Sequence, residues 1–175
     1  MPAMGDPRFF RSLIYVCVHN ADGALGLIIN KKMNSLSFSE ILEQLEITNV
    51  ASTQNKTQDV YFGGPVETAR GFILHSAEYN SADTLVVDNE IAMTASLEII
   101  KELAAGTGPS NSLVALGYAG WGAGQLDNEI QENAWLSADP DLDLIFNESV
   151  DIKWDKALEK VGVSAALLST EAGHA

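Results

Sequence analysis

The sequence predicts an α+β fold with a mixed, mostly antiparallel sheet, its strands clustered and broken by single helices. Three observations lead there. Short runs rich in β-branched residues recur along the chain, and stretches with helical spacing are isolated between them. An Asp22-Gly23 pair in a polar gap joins the first two runs as a hairpin.

The hairpin strands are Leu13–His19 and Leu25–Asn30. Ser37-Phe38-Ser39-Glu40 has the form of a capping box, in which the serine side chain accepts a backbone N–H and the glutamate reaches back. Phe38, Ile41, Leu42 and Leu45 then recur at the spacing of one helix face. From Glu46 to Gln58 the composition turns to Thr, Asn, Ser and Gln, as in a surface loop. Neither side of that loop could hold a core separately, so residues 1–175 are expected to form one domain. Further strands are expected at Asp59–Phe62, Gly71–His75, Leu85–Asp88 and Ile91–Met93, with a turn at Gly63-Gly64-Pro65. Ser96 caps a helix through Ala105 that turns Leu97, Ile100, Leu103 and Ala104 inward and stops at Gly106. Leu113–Tyr118 is a strand leading into a glycine-rich loop, Gly117 to Gly124, and a short helix with Leu126 and Ile130. Asp139-Pro140 opens a turn or helix. Trp154, Ala157, Leu158 and Val161 mark a last amphipathic helix ending at Gly162, which gives about four helices in all.

Composition excludes several classes of function. The longest apolar run, Leu13 to Val18, is far short of the ~20 residues a membrane-spanning helix needs. The N-terminus does not read as a secretory signal. Cys17, the single cysteine, sits in an apolar run where a buried, inert thiol is expected, and a reducing cytoplasmic setting follows. The net charge is −14, and residues 76–175 hold four lysines against seventeen acids. That sign opposes direct nucleic-acid binding, which depends on Lys and Arg at phosphates. No helix-turn-helix with a basic second helix is present.

No set of residues spells out a catalytic mechanism. There is no G-x-S-x-G elbow, and a dinucleotide fingerprint starting at Gly120 and Gly122 would need glycine where Gln125 stands. Asp127 and Glu129 put negative charge into the turns that a phosphate would approach. His19 and His75, each ending a strand, lack the spacing of metal ligands, so neither a metal nor another cofactor is expected. Trp135 and Trp154 are expected in the core, and Trp121, between glycines, partly exposed as a binding surface.

Several segments in order resemble the AlgH/YqgE family of bacterial proteins. They are Met1 to Ser12, Tyr15-Val16-Cys17-Val18-His19-Asn20, Phe62-Gly63-Gly64-Pro65-Val66, and Arg70-Gly71-Phe72-Ile73-Leu74-His75. Ala115 to Trp121, Gly124-Gln125-Leu126, Asn133-Ala134-Trp135-Leu136 and Ala172-Gly173-His174-Ala175 add to the resemblance, which covers the whole chain. It implies a split sheet bent into a barrel-like shape and flanked by helices. It also implies an extra apolar strand before the Met-Pro segment, which this chain lacks, so a sheet edge is expected to be left unpaired. Lys31-Lys32 departs from the family, where a proline commonly follows the asparagine. The resemblance carries no particular reaction; the family name derives from a proposed role in regulating alginate production.

The expected role is therefore non-enzymatic: a regulatory or interaction protein whose partner is another protein. The alternative is a small-anion or nucleotide-binding protein, a cryptic hydrolase among its forms. Its site would join Arg8, Arg11, His19, Arg70 and His75 to Gly120, Trp121, Gly122 and Gln125.

Overall fold

A computed structural model describes residues 6–48, 50 and 58–163. The polar stretch at 51–57 and the tail Ser169–Ala175 lie outside the described residues. A 3₁₀ turn, Pro7–Phe9, leads into β1 (Ile14–Asn20) and β2 (Gly23–Ile28). Helix α1 (Phe38–Gln44) starts at Ser37, whose hydroxyl accepts from the Glu40 N–H while the Glu40 carboxylate accepts the Ser37 N–H, completing the capping box. Then come β3 (Val60–Phe62), β4 (Val66–Ser76), β5 (Thr84–Val86), β6 (Ile91–Thr94) and α2 (Leu97–Ala105). The chain continues through β7 (Ser112–Gly122), α3 (Gln125–Gln131), a π turn (Asp143–Asn147) and α4 (Val150–Lys160).

The strands form a curled sheet in the order β1-β2-β7-β4-β6-β5, a half-barrel with β1 and β5 at its two edges. Every pairing is antiparallel except β3, which runs parallel to the first half of β7. Bulges bend the sheet at Cys17, between Val16 and Val18, and in β4 between Val66 and Gly71. The α+β class and the mixed sheet agree with what the sequence predicts, and the barrel-like bend with what the family resemblance implies.

Both faces of the central strands are covered, which is why β4 reads as an unbroken apolar run, Phe72-Ile73-Leu74. Phe72 and Leu74 join Leu27, Ile91, Leu113 and Ala115 inside the half-barrel. Ile73 and Val114 face outward onto Phe38 and Leu42 of α1 and Ile99 of α2. Phe38 and Ile99 are fully buried, each worth roughly 1.5–3 kcal/mol of transfer free energy.

Three expectations change. The inward face of α2 centres on Ile99 and Ala104, and Leu97 points to solvent. Ser96 makes no side-chain capping bond there. The glycine-rich stretch is not a loop, because β7 runs through it to Gly122 and pairs Gly120, Trp121 and Gly122 with Leu25, Ala24 and Gly23. Within β7, backbone approach requires glycine at position 117. Gly117 has φ +71°, and a Cβ there would lie 2.4 Å from the Gly64 carbonyl oxygen.

Candidate functional site

Beyond β7 the chain turns at Ala123 and Gly124 into α3, and a single carboxylate on that helix ties the corner together. Glu129 Oε2 accepts both the Trp121 indole N–H (2.9 Å) and the Trp135 indole N–H (2.7 Å). Its Oε1 accepts from the Gln125 amide at 2.8 Å, and Gln125 Oε1 in turn accepts the Gly122 N–H at 3.0 Å. Burial would raise the Glu129 carboxyl, but the Trp135, Gln125 and Trp121 donors override it and hold the pKa below the ordinary value. The rings stack edge to face, Trp121 on Trp135 at 6.0 Å and Phe9 on Trp135 at 5.7 Å.

These rings form part of the wall of a groove of about 400 Å³ that is lined mainly by apolar groups. Helix α4 supplies Trp154, Ala157 and Leu158, and the 135–140 segment supplies Leu136, Ser137, Ala138 and Pro140. All three tryptophans of the chain face this one space. Five consecutive residues, Ser12 to Val16, line its other side. Alternate side chains of a strand point to opposite faces, so a space touching successive residues meets the strand along its backbone edge. That edge is the outer one of β1, to which no strand pairs among the described residues. Val87 and Asp88, just past β5, also reach the groove, and the Tyr15 hydroxyl donates to Asp88 Oδ2 at 2.9 Å. The groove is thus the seam where the two sheet edges come near each other.

Few polar groups reach this space. Ser12, 9 % exposed, has a buried hydroxyl with no hydrogen-bond partner. Its neighbour Arg11 adopts φ +50° and lays its guanidinium over the Trp154 ring, 4.2 Å from the centroid, while bonding Asp155 at 2.9 Å.

The charged residues expected to hold an anion each have a partner within the chain. Arg8 pairs with Asp6 at 2.6 Å, Arg70 with Glu67 at 3.0 Å and His19 with Asp127 at 3.1 Å. His75 is fully buried. Its Nδ1 lies 3.0 Å from the Ser76 carbonyl oxygen, which can only accept, so Nδ1 carries the proton and Nε2 accepts from Thr94 Oγ1 at 2.9 Å. Thr94 then accepts from Thr84 at 2.8 Å, and Thr84 from Ser81 at 3.1 Å. Burial lowers the His75 pKa, in keeping with this neutral tautomer. The Gly122 N–H, a potential phosphate donor, is taken by Gln125. Of the residues expected at the site, Trp121 lines the groove; Arg11 stands at its rim on Trp154, and Gln125 braces Glu129.

The tryptophan expectations are reversed: Trp121 is buried, at 8 % exposure, and Trp135 and Trp154 are only half-buried. The sequence marks Glu129 only as a charge that would repel a phosphate, and gives Lys153 no role. Lys153, 1 % exposed, donates to the carbonyl oxygens of Ile145 (2.5 Å) and Ile29 (3.2 Å) and faces the Tyr61 ring at 5.6 Å. Burial pulls its pKa down to about 8. Cys17 is buried as expected, its thiol pushed up to about 12 by desolvation. Among the described residues no cluster of His, Cys, Asp or Glu could hold a metal ion, and no helix is long and apolar enough to cross a membrane.

Residues 1–166 match the AlgH-like family. The UPF0301 protein of Jannaschia sp. (strain CCS1) is 49% identical over 177 residues, covering 100% of this chain and 91% of the relative. That of Afipia carboxidovorans is 48% identical over 181 residues, covering 100% and 86%. The solution structure of the AlgH protein from Pseudomonas aeruginosa superposes with a TM-score of 0.81 at 42% identity, covering 100% of this chain and 92% of that one. With this agreement along the whole sequence and in the fold, the chain belongs to the AlgH-like family.

Proposed function

We propose that this protein acts by binding another polypeptide, and that the groove between β1 and α4 is where it does so. One observation carries the reading. Three tryptophans from distant parts of the sequence line a single space, opposite Ser12 to Val16, of which Ile14 to Val16 belong to an edge of β1 that no strand pairs among the described residues. Large aromatic rings fixed by hydrogen bonds are effective anchors for a partner, because little side-chain entropy remains to be lost. The role is regulatory and non-enzymatic, exercised in the cytoplasm by holding a protein partner, and the chain's net charge of −14 keeps it off DNA. Anion binding draws less support, since Arg8, Arg11 and Arg70 each already pair with a carboxylate of this chain.

Selection from a displayed library of random peptides tests the reading. Val16 and Leu136, 37 % and 40 % exposed, both border the groove, so Val16→Lys and Leu136→Lys should change binding with little effect on folding. Peptides enriched on the parent protein are expected to lose binding to both variants. A selection that yields none, or peptides indifferent to both substitutions, overturns the proposal.

A further inference from the structure

Resting on the polypeptide-binding reading, we infer the chemistry of the segment the groove takes: an extended strand that adds to the outer edge of β1, apolar at its centre and basic at its ends.

Strand addition follows from how the groove meets β1. Because Ile14, Tyr15 and Val16 of β1 line it in succession, the ligand meets the backbone edge of the strand, where no strand pairs among the described residues. The Ser12 N–H and both backbone groups of Leu13, just before β1, are already bonded within the chain. Ser12 contributes independently, since its buried hydroxyl has no partner and would donate to a carbonyl oxygen of an incoming main chain. Across the groove, the rings of Trp121, Trp135 and Trp154 would receive the inward-pointing side chains.

Charge sets the character of the ends. Among the described residues, Asp88 is the one charged residue on the lining itself. The segment 121–163, whose uncharged residues form the far wall, carries ten carboxylates and three lysines around the groove. None of those lysines is free for a ligand: Lys153 is buried, Lys156 pairs with Glu148, and Lys160 pairs with Asp141. Lysine or arginine flanks would meet an attractive field there, and acidic flanks a repulsive one. A second copy of this chain would bring another −14, and the chain's own residues 164–175 contain no Lys or Arg to supply basic ends. An anionic membrane surface is opposed by the same field.

Three synthetic peptides test the inference by tryptophan fluorescence, to which all three groove tryptophans contribute. One carries a central Val-Thr-Val-Thr-Val run with two lysines at each end. The second has glutamates in place of the lysines, and the third keeps the lysines but has proline as the middle valine. The lysine peptide is expected to shift the emission and to bind at least about tenfold more tightly than the glutamate peptide, with the gap closing as salt rises. Proline should abolish binding, since it removes a ladder N–H and interrupts the strand. Val16→Lys should weaken the lysine peptide while leaving the melting temperature unchanged. Equal affinity for the lysine and glutamate peptides overturns the charge assignment, and equal affinity for the proline peptide overturns strand addition. Both results leave the groove reading standing if library peptides still depend on Val16. Silence from every peptide, together with an empty library selection, sinks both. Shielding of the half-buried Trp135 and Trp154 from acrylamide in the free protein would mean that the chain fills its own groove, which also overturns the inference.

Discussion

Glu129 sets two aromatic walls with one carboxylate, and its chemistry gives that arrangement a pH dependence. The sign is fixed by the direction of its shift. With a folded pKa held below the ordinary 4.5, Glu129 stabilises the protein above that value and loses the contribution as pH falls through the folded pKa. Acid titration should therefore change the tryptophan emission in that window, and Glu129→Gln should remove the change. Glu129→Ala strands two indole N–H groups and is expected to cost about 1–3 kcal/mol, read as an earlier urea midpoint. His75 responds to acid for a different reason. Its folded pKa is lowered from 6.5 by burial, so the unfolded chain takes up the proton first and stability falls as pH drops below that value. Thr94→Val leaves the buried Nε2 without its donor and should cost about 1–3 kcal/mol by the same urea measurement.

At the scale of elements, the π turn and α4 are joined by Lys153. The Ile145 carbonyl lies inside the turn, and Lys153 closes it at 2.5 Å while also holding Ile29 just past β2. Burying that ammonium costs stability wherever it stays charged. The folded pKa of about 8 lies below the ordinary 10.5, so the cost is full below pH 8 and is relieved as pH rises toward 10.5. A comparison with Lys153→Met isolates it: between those limits the parent should gain on the order of 3 kcal/mol relative to the variant, at about 1.36 kcal/mol per unit. The helices and most strands could be read from the sequence because their signals are local: a capping box at Ser37, helical spacing in α4, an Asp-Gly hairpin. The course of β7 through its glycines could not. Glycine marks a loop when the chain is read alone, but Gly117 lies in a strand packed against the Gly64 and Val66 carbonyls too closely for a Cβ. Gly117→Ala should accordingly cost at least about 1–3 kcal/mol from its positive φ alone, measurable as a lower melting temperature.

For the whole molecule, the candidate site is a tertiary property. Trp121, Trp135 and Trp154 sit on a strand, a loop and a helix, with no periodic relation in sequence, and only the curl of the sheet gathers them along the edge of β1. Strand-end histidines and scattered arginines show in sequence as chemical types, but the partners that Arg8, Arg70 and His75 take, Asp6, Glu67 and Thr94, are set by the fold. Charge, by contrast, is fully legible in sequence, and it should govern folding and binding in opposite directions. With 24 acids against 10 bases, the folded chain repels itself, while exposed pairs such as Arg8–Asp6 and Arg11–Asp155 offset little of that. Raising sodium chloride from about 10 mM to about 1 M shortens the screening length from about 30 Å to about 3 Å. The melting temperature should rise across that range because self-repulsion is screened. Over the same range the lysine-flanked peptide should bind more weakly, because its attraction to the acidic residues around the groove is screened too. A melting temperature that falls with salt would show that exposed ion pairs outweigh repulsion in this fold. Binding that strengthens with salt would show instead that apolar burial alone holds the peptide, and the surrounding acidic residues would lose their part in recognition.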